Sequence, residues 1–570
     1  MHVAQFDKAA SASSSDVTGR RARVRLLLFC VLCFLVTLGL ALRSGLLHSE
    51  FGRYQDEGMH YVTGLFVQDF LTSGQWLSPM HFARDYYLHL PKVALGQWPP
   101  GFSLLQAAWG LIFGVSRTSM LLGMIVLTTW LAFLVYRAGE KYFGPTLGML
   151  GAILLISAPL TQEQTAMVMA EVPLAAASFL AIAAFVRLLE STRVRDAIAF
   201  ALWTICAIMI KGNGWVIGLA APLILLLTGR IRLLGNKRLW LAVLLIALIC
   251  VPYTLITMRI VTQGWDTTKF PGWSYTWASL GIHLGFVAHL LGIPMMVVAA
   301  AGVFASLFLR RELFWKAMVI YAVAIIAFHV AIPSSIEPRK IYQIVPVMCL
   351  LVLAGIDAIA VGLLRGRQTL IPGARPALAV LAGLIFFFTG FSLLPQYAPG
   401  FGAAVENIQA QPASRAAAIL ISSNPQWADS EAALIAEWAE RRRNDGTYLI
   451  RGTKLLSHPV AAAPGEGEWA VNFATPQAML DALSSIPVSF VILHTTPFRV
   501  SYPHHDMLRA ALAGDKAEWE LVYHTQRYLS GSGEKHDLEI YRFRKNVAGA
   551  PIHYSVDLSG KLGSKFGAAE

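Results

Sequence analysis

Charge is scarce in this chain: 14% of its 570 residues are Asp, Glu, Lys or Arg, against 56% that are hydrophobic. A soluble chain carries about a quarter of its residues charged, so the balance excludes an ordinary cytosolic enzyme and specifies a polytopic membrane protein. Cysteine is nearly as rare. The five (Cys30, Cys33, Cys206, Cys250 and Cys349) all fall inside apolar stretches. Cys30 and Cys33 have CxxC spacing but no second pair, so they read as packing residues, with no disulfide framework. A nucleotide-binding glycine fingerprint is missing too; Gly531-Ser532-Gly533 opens no helix after a strand and reads as a turn. There are no internal repeats, and charges avoid the middles of the apolar runs. Both absences count against a transporter, which would place acids and bases mid-span within inverted repeats.

The net charge of +12 is not a nucleic-acid signal. The cations form short clusters between apolar runs rather than one basic face, which is topology information. Residues 1–22 are polar and read as a disordered cytoplasmic tail. Arg20, Arg21, Arg23 and Arg25 precede the first apolar run, which lacks a small-residue cleavage site and reads as an uncleaved anchor. Candidate spans are 24–43, 118–136, 144–160, 172–189, 196–210, 214–229, 239–258, 284–309, 317–333, 341–364 and 376–395. With the N-terminus cytoplasmic, every inward loop is basic, provided that 102–116 does not cross but lies along the interface or dips in. That stretch is short for a span and follows Pro99-Pro100-Gly101. The expected fold is an all-α membrane domain over 23–395, with about 11–13 transmembrane helices and an outward loop at 44–117.

After Leu394 the composition changes. Strand-like runs at 447–450, 488–493, 520–524 and 538–543 alternate with helical patterns at 430–443 and 476–485. This predicts a soluble α/β domain over 396–546, on the periplasmic side, followed by a flexible tail at 547–570.

The polar residues gather in the outward loops. Asp56 and Glu57 follow the first span, with His60 and Tyr61 one helical turn on; an acid beside an apolar surface can take a proton from an acceptor hydroxyl or amine. Glu163 and Glu171 share the next outward turn, although Glu171, just before Pro173, equally suits a helix N-terminus. Lys211-Gly212-Asn213-Gly214 offers an ammonium and close backbone approach to an anion, although lysine at a span end is also a snorkelling anchor. Arg339 and Lys340 lie on the side of the membrane where cations are disfavoured, which argues that they serve a ligand such as a phosphate. Carboxylates to abstract a proton and cations to hold a phosphate suit group transfer from a lipid-linked phosphate.

These residues resemble a family, the GT-C glycosyltransferases, in the branch of protein O-mannosyltransferases, the lipid A aminoarabinose transferase and related lipopolysaccharide sugar transferases. The resemblance runs from the first span to about residue 365. Its landmarks are Asp56-Glu57, Trp98-Pro99-Pro100, Ala170-Glu171-Val172-Pro173-Leu174, Lys211-Gly212, and Glu337-Pro338-Arg339 leading to Tyr342. It implies an inverting transfer from a polyprenyl-phosphate sugar to a lipid, glycan or protein acceptor at the outer face of the inner membrane. Asp56 would be the catalytic carboxylate, with Glu57 and Glu171 as partner acids and Lys211 and Arg339 near the donor phosphate. The aminoarabinose transferase has a lysine where this chain has Trp98, so Arg84, Lys92 or Lys340 would have to compensate, or the donor differs; Trp98 would instead stack on the sugar. Tyr61, Trp98, Glu163 and Tyr342 are expected to line the substrate. No cofactor is expected. Asp56, Glu57, Glu163 and Glu171 could converge on a divalent metal, as in oligosaccharyl-transferring relatives, but those carry Trp-Trp-Asp where this chain has Trp427-Ala428-Asp429. The rival reading is a transporter or lipid-linked sugar flippase.

Three minor features have structural expectations. His504-His505-Asp506 follows Tyr502-Pro503 and reads as solvent-facing loop. Trp265, Trp273, Tyr275 and Trp277 read as an interfacial belt or an acceptor groove. His283 and His289 read as structural.

Overall fold

The computed structural model describes residues 24–568, apart from 95, 262–271, 333–334, 366, 412–413, 415–416, 425–429, 442–445, 461–468, 498–500, 529–532, 546–551, 553 and 558–564. The expected tail 1–22, Trp265 and the Trp427-Ala428-Asp429 stretch lie outside the described residues.

The first apolar run forms α1 (Val24–Arg43), and the loop after it folds into α2 (Gln55–Ser73), α3 (Pro79–His89) and α4 (Gly101–Phe113). At about 1.5 Å per residue the 13-residue α4 is roughly 20 Å long, too short to cross about 30 Å of hydrocarbon. It lies against α2 instead, with Gly64 of α2 under the Gln106 side chain of α4. The bundle continues as α5 (Arg117–Phe143), α6 (Pro145–Ser157), α7 (Pro159–Thr165), α8 (Glu171–Ser191), α9 (Val194–Ile210), α10 (Val216–Leu227), α11 (Lys237–Val261), α12 (Trp273–His289), α13 (Ile293–Phe304), α14 (Leu313–Ala331), α15 (Val345–Leu363) and α16 (Ile371–Thr389).

Among the described residues seven helices are long and apolar enough to cross a membrane, or nine if each of two bent pairs counts as one span. The protein is a multi-pass membrane protein. Two of the expected spans are broken. The run 144–160 turns by 62° between α6 and α7, because Pro159 cannot continue the amide ladder and holds Ala158 extended at ψ 131°. The run 284–309 hides a 103° corner between α12 and α13, where Gly292 adopts φ 79° just before Pro294. Expected spans 196–210 and 214–229 form α9 and α10, of 17 and 12 residues. On α12, Trp273 and Trp277 are exposed, while the Tyr275 hydroxyl donates to the Ile332 carbonyl.

Two packing features bind the bundle. A Cβ on Gly302 of α13 would lie 1.8 Å from the Leu351 carbonyl oxygen, and one on Gly355 of α15 would lie 2.0 Å from that of Val298. The helices touch through their backbones there. Gly302→Ala is therefore expected to cost about 1–3 kcal/mol of stability, read as a lowered thermal midpoint in detergent. At the opposite end of α15 from its Arg339 approach, Asp357 is held by Arg310 and by Arg375 Nε at 2.7 Å.

Beyond α17 (Phe401–Gln409), a five-stranded sheet has the order β2-β1-β5-β7-β6. Its strands are β1 (Ala418–Ser423), β2 (Tyr448–Arg451), β5 (Val488–Thr495), β6 (Trp519–Tyr528) and β7 (Lys535–Phe543). The central strand β1 was not among the expected ones; it pairs in parallel with β2 and β5 and is buried along its whole length. Short strands β3 (Ser457–Pro459) and β4 (Trp469–Val471) pair beside it, and helices α18 (Ser430–Arg441), α19 (Gly452–Leu455), α20 (Pro476–Ser485) and α21 (Pro503–Gly514) complete the region. His504 and His505 correct an expectation. They open α21 and are fully buried, with His505 bridging Ser422 (2.9 Å) and Thr495 (3.0 Å), because β1 and β5 end against that helix. Near the C-terminus β8 (Tyr554–Asp557) and β9 (Lys565–Ala568) pair antiparallel where a loose tail was expected.

The sheet region is docked on the first loop. Glu50 accepts hydrogen bonds from the amides of Gly400 (2.7 Å), Phe401 (2.9 Å) and Gly402 (3.0 Å) at the start of α17. Glu437 of α18 accepts from the Phe51 amide at 2.8 Å and from Arg441 at 2.6 Å. Burial and nearby Glu50 push the Glu437 carboxyl up to about 7, against the pull of the Phe51 amide and Arg441. A carboxyl raised above its unfolded value stabilises most at low pH, and that contribution is lost as pH rises through 7. The thermal midpoint of the native chain minus that of Glu437→Gln is therefore expected to fall between about pH 5 and pH 8. A pH-independent difference would count against this docking role.

Candidate active site

Asp56 sits in the first turn of α2, where helix N-termini favour acids. Glu171 is the first residue of α8, two before Pro173. Lys211 ends α9 in extended backbone (φ −158°, ψ 143°); the chain then turns so tightly that a Cβ on Gly214 would strike the Ala207–Ile208 backbone. Arg339 lies in the 3₁₀ turn Pro338–Ile344 that leads into α15. Four segments far apart in sequence thus deliver their charges to one place.

Arg339 is the hub. Its Nη2 donates to Asp56 Oδ2 at 2.7 Å, its Nη1 to Glu171 Oε1 at 3.2 Å and its Nε to Glu337 Oε2 at 2.7 Å. Its guanidinium also lies 4.0 Å from the Tyr54 ring centroid. Lys211 Nζ donates to the same Glu171 Oε1 at 2.6 Å, while Glu171 Oε2 is buried with no partner among the described residues. Glu171, Lys211 and Arg339 are buried and Asp56 is half-buried. Burial acts to raise the Asp56 carboxyl, but Arg339 and then Lys211 outweigh it and hold it below the usual carboxylate range. Glu163 on α7 is within electrostatic reach of Arg53, Arg339 and Glu171, and Lys340 of Glu337, Arg339, Lys211 and Asp56. The cluster and its rim therefore hold four acids (Asp56, Glu163, Glu171, Glu337) and four cations (Arg53, Lys211, Arg339, Lys340).

Other expected site residues lie elsewhere. Glu57 is fully buried and turned away, because neighbours on a helix point about 100° apart. Its carboxylate accepts from Arg117 Nη2 (3.2 Å), the Gly52 amide (3.1 Å) and the Val168 amide (3.4 Å). Arg117, which carried no motif in the sequence, ties Glu57 to the Ser49 carbonyl and, through its own amide, to Glu440 of α18. Tyr61 is buried against Phe51 and donates to the Val115 carbonyl at 2.7 Å. Tyr342 is buried as well, its hydroxyl on Thr161 Oγ1 at 3.2 Å. Arg84 is exposed on α3, and buried Lys92 lends its charge to Glu431 of α18, so neither joins Arg339. Trp98 spends one face on His60, the rings stacking at 3.9 Å. Burial, then Lys211, push His60 down to about 3 despite Asp56 and Glu171, so the ring is neutral; its Nε2 has no partner among the described residues. Among the described residues, no three His, Cys, Asp or Glu side chains are grouped to hold a metal, since Glu57 faces Arg117.

Residues 97–257 match the model of a family described as dolichyl-phosphate-mannose-protein mannosyltransferase. The chain superimposes on ArnT from Cupriavidus metallidurans in the apo state with a TM-score of 0.56 at 15% identity, covering 93% of this chain and 99% of that one. The chain has the GT-C fold. ArnT bound to undecaprenyl phosphate gives a TM-score of 0.55 at 15% identity, over 91% of this chain and 98% of that one. The oligosaccharyltransferase AglB from Archaeoglobus fulgidus, with an inhibitory peptide and a dolichol-phosphate, gives 0.50 at 12% identity, over 82% of this chain and 69% of that one. No curated protein sequence matches the chain.

Proposed function

We propose that this protein is an inverting glycosyltransferase that moves a sugar from a polyprenyl-phosphate donor to a lipid, glycan or protein acceptor at the periplasmic face of the inner membrane. The observation that carries the reading is Asp56 and Glu171 meeting Lys211 and Arg339 in one cluster. The polyprenyl and dolichyl phosphates bound to ArnT and AglB support the donor class.

The ion pairs suggest how binding and chemistry are linked. In this arrangement Arg339 is saturated by three carboxylates and Asp56, held low, is a weak base. A donor phosphate competes for Arg339 and Lys211. As Arg339 turns toward the phosphate, Asp56 loses its counter-charge and its basicity rises. Asp56 then takes the acceptor proton as the acceptor oxygen bonds to the anomeric carbon from the face opposite the phosphate. The carbon–oxygen bond to phosphate breaks, its electron pair stays on the phosphate oxygen, and Lys211 and Arg339 hold the departing polyprenyl phosphate. Glu57, tied to Arg117, keeps the N-terminus of α2 in place. The cations meet the developing charge, so the reading calls for no cofactor, and protein dialysed against EDTA is expected to keep its activity.

The test is to incubate membranes carrying the full chain with a panel of radiolabelled polyprenyl-phosphate pentoses and hexoses, and to follow label into lipid, glycan and protein. Transfer from at least one donor is expected. Transfer from none, by protein that melts cooperatively, overturns the assignment.

A further inference from the structure

Two buried histidines near this cluster have no part in the mechanism above. His283 lies on α12 and His329 on α14, both buried, with ring centroids 6.2 Å apart and planes inclined by 22°. His283 Nδ1 is 2.8 Å from the Ser279 carbonyl oxygen, which only accepts, so the proton of the neutral ring is on Nδ1 and Nε2 carries a lone pair. That Nε2 has no partner among the described residues, and neither does His329 Nε2. Buried polar atoms are rarely left so unless a water or a ligand completes them. Helices α12 and α14 both pack against the Pro338–Ile344 turn that carries Arg339 and Lys340.

We infer that His283 and His329 form the sugar-recognising end of the donor pocket, His283 Nε2 accepting a hydrogen bond from a hydroxyl of the transferred sugar and His329 Nε2 pairing with another, while Lys340 and Lys211 lie toward the phosphate. The inference rests on the donor class proposed above. Of the three parts of such a donor, the isoprenoid has no polar group and the phosphodiester has only acceptors. The sugar alone offers O–H donors to a neutral imidazole lone pair.

The experiment uses the full chain in nanodiscs, with the glycosylated donor that the native protein turns over fastest in the panel and with undecaprenyl phosphate, which lacks the sugar. His283→Phe and His329→Phe are each expected to raise KM for the glycosylated donor about tenfold, the size of one lost hydrogen bond to a buried group. Affinity for undecaprenyl phosphate stays within about twofold on the same reasoning. His283→Asn keeps a donor for the Ser279 carbonyl and removes only Nε2, so it raises KM alike without disturbing α12. His329→Gln, whose amide oxygen approximates Nε2, restores most of the loss. An unchanged KM, or undecaprenyl phosphate affinity falling in parallel, overturns the inference while the donor class stands. A native protein that neither transfers from the panel nor binds undecaprenyl phosphate overturns the donor class, and the inference with it.

Discussion

Asp56→Asn is expected to lower sugar transfer by about 10³-fold or more while tightening the binding of undecaprenyl phosphate by a few fold. The two effects have one cause. An amide of the same shape takes no proton, so the acceptor is not activated. The same change removes one of three carboxylates that hold Arg339, at 2.7 Å from its Nη2, and leaves the guanidinium readier for a phosphate. A residue serving only the fold would weaken both. Transfer is read with the panel donor and affinity by equilibrium binding to protein in nanodiscs. Weaker phosphate binding in the variant would show that Arg339 does not exchange Asp56 for the ligand.

Arg339→Gln should have the largest effect on stability. It leaves Asp56, Glu171 and Glu337 without their shared partner, and Lys211 is bonded to Glu171 alone. Removing one partner of a buried pair costs about 3–5 kcal/mol, because the abandoned charge stays out of water. The pH dependence carries a sign. In the native chain the Asp56 carboxyl is depressed, so the stability it contributes is present above its unfolded value and is lost as pH falls through the lowered one. In the variant the unpaired acids repel until protons neutralise them. The gap in thermal midpoint between native and variant is therefore expected to be widest at neutral pH and to narrow on acidification. A gap that widens toward acid would remove the ion cluster as its cause.

What could be read from the chain, and what could not, follows from the range of each signal. Apolar run length and basic flanks are local, and they gave a polytopic bundle. Charges at span ends are local too, and Asp56, Glu171, Lys211 and Arg339 stood out as groups that would have to share one end of that bundle. Direction was not legible. Asp56 and Glu57 are adjacent letters, but a helix sends one to Arg339 and the other to Arg117. Partners made by tertiary contact were invisible as well: the His60–Trp98 stack, Tyr54 beneath Arg339, and the hydroxyl contacts of Tyr61 with Val115 and of Tyr342 with Thr161. Hydropathy cannot register a corner, so the breaks at Ala158 and Gly292 passed as continuous spans. Strand β1 escaped because Ala418–Ser423 is buried on both faces and shows no alternation.

The grip of Glu50 on Gly400, Phe401 and Gly402 divides the chain into a part free to drift and a part that is not. One side of that joint is a single carboxylate; the other is three peptide N–H groups that nearly any residue supplies, apart from Gly400 with its φ of 99°. Replacing Phe401 with another apolar residue should thus leave the joint seated, whereas Glu50→Ala should loosen it and leave Glu437 on the Phe51 amide and Glu440 on the Arg117 amide to hold the sheet region. Variation in the sheet region can then proceed without moving Asp56.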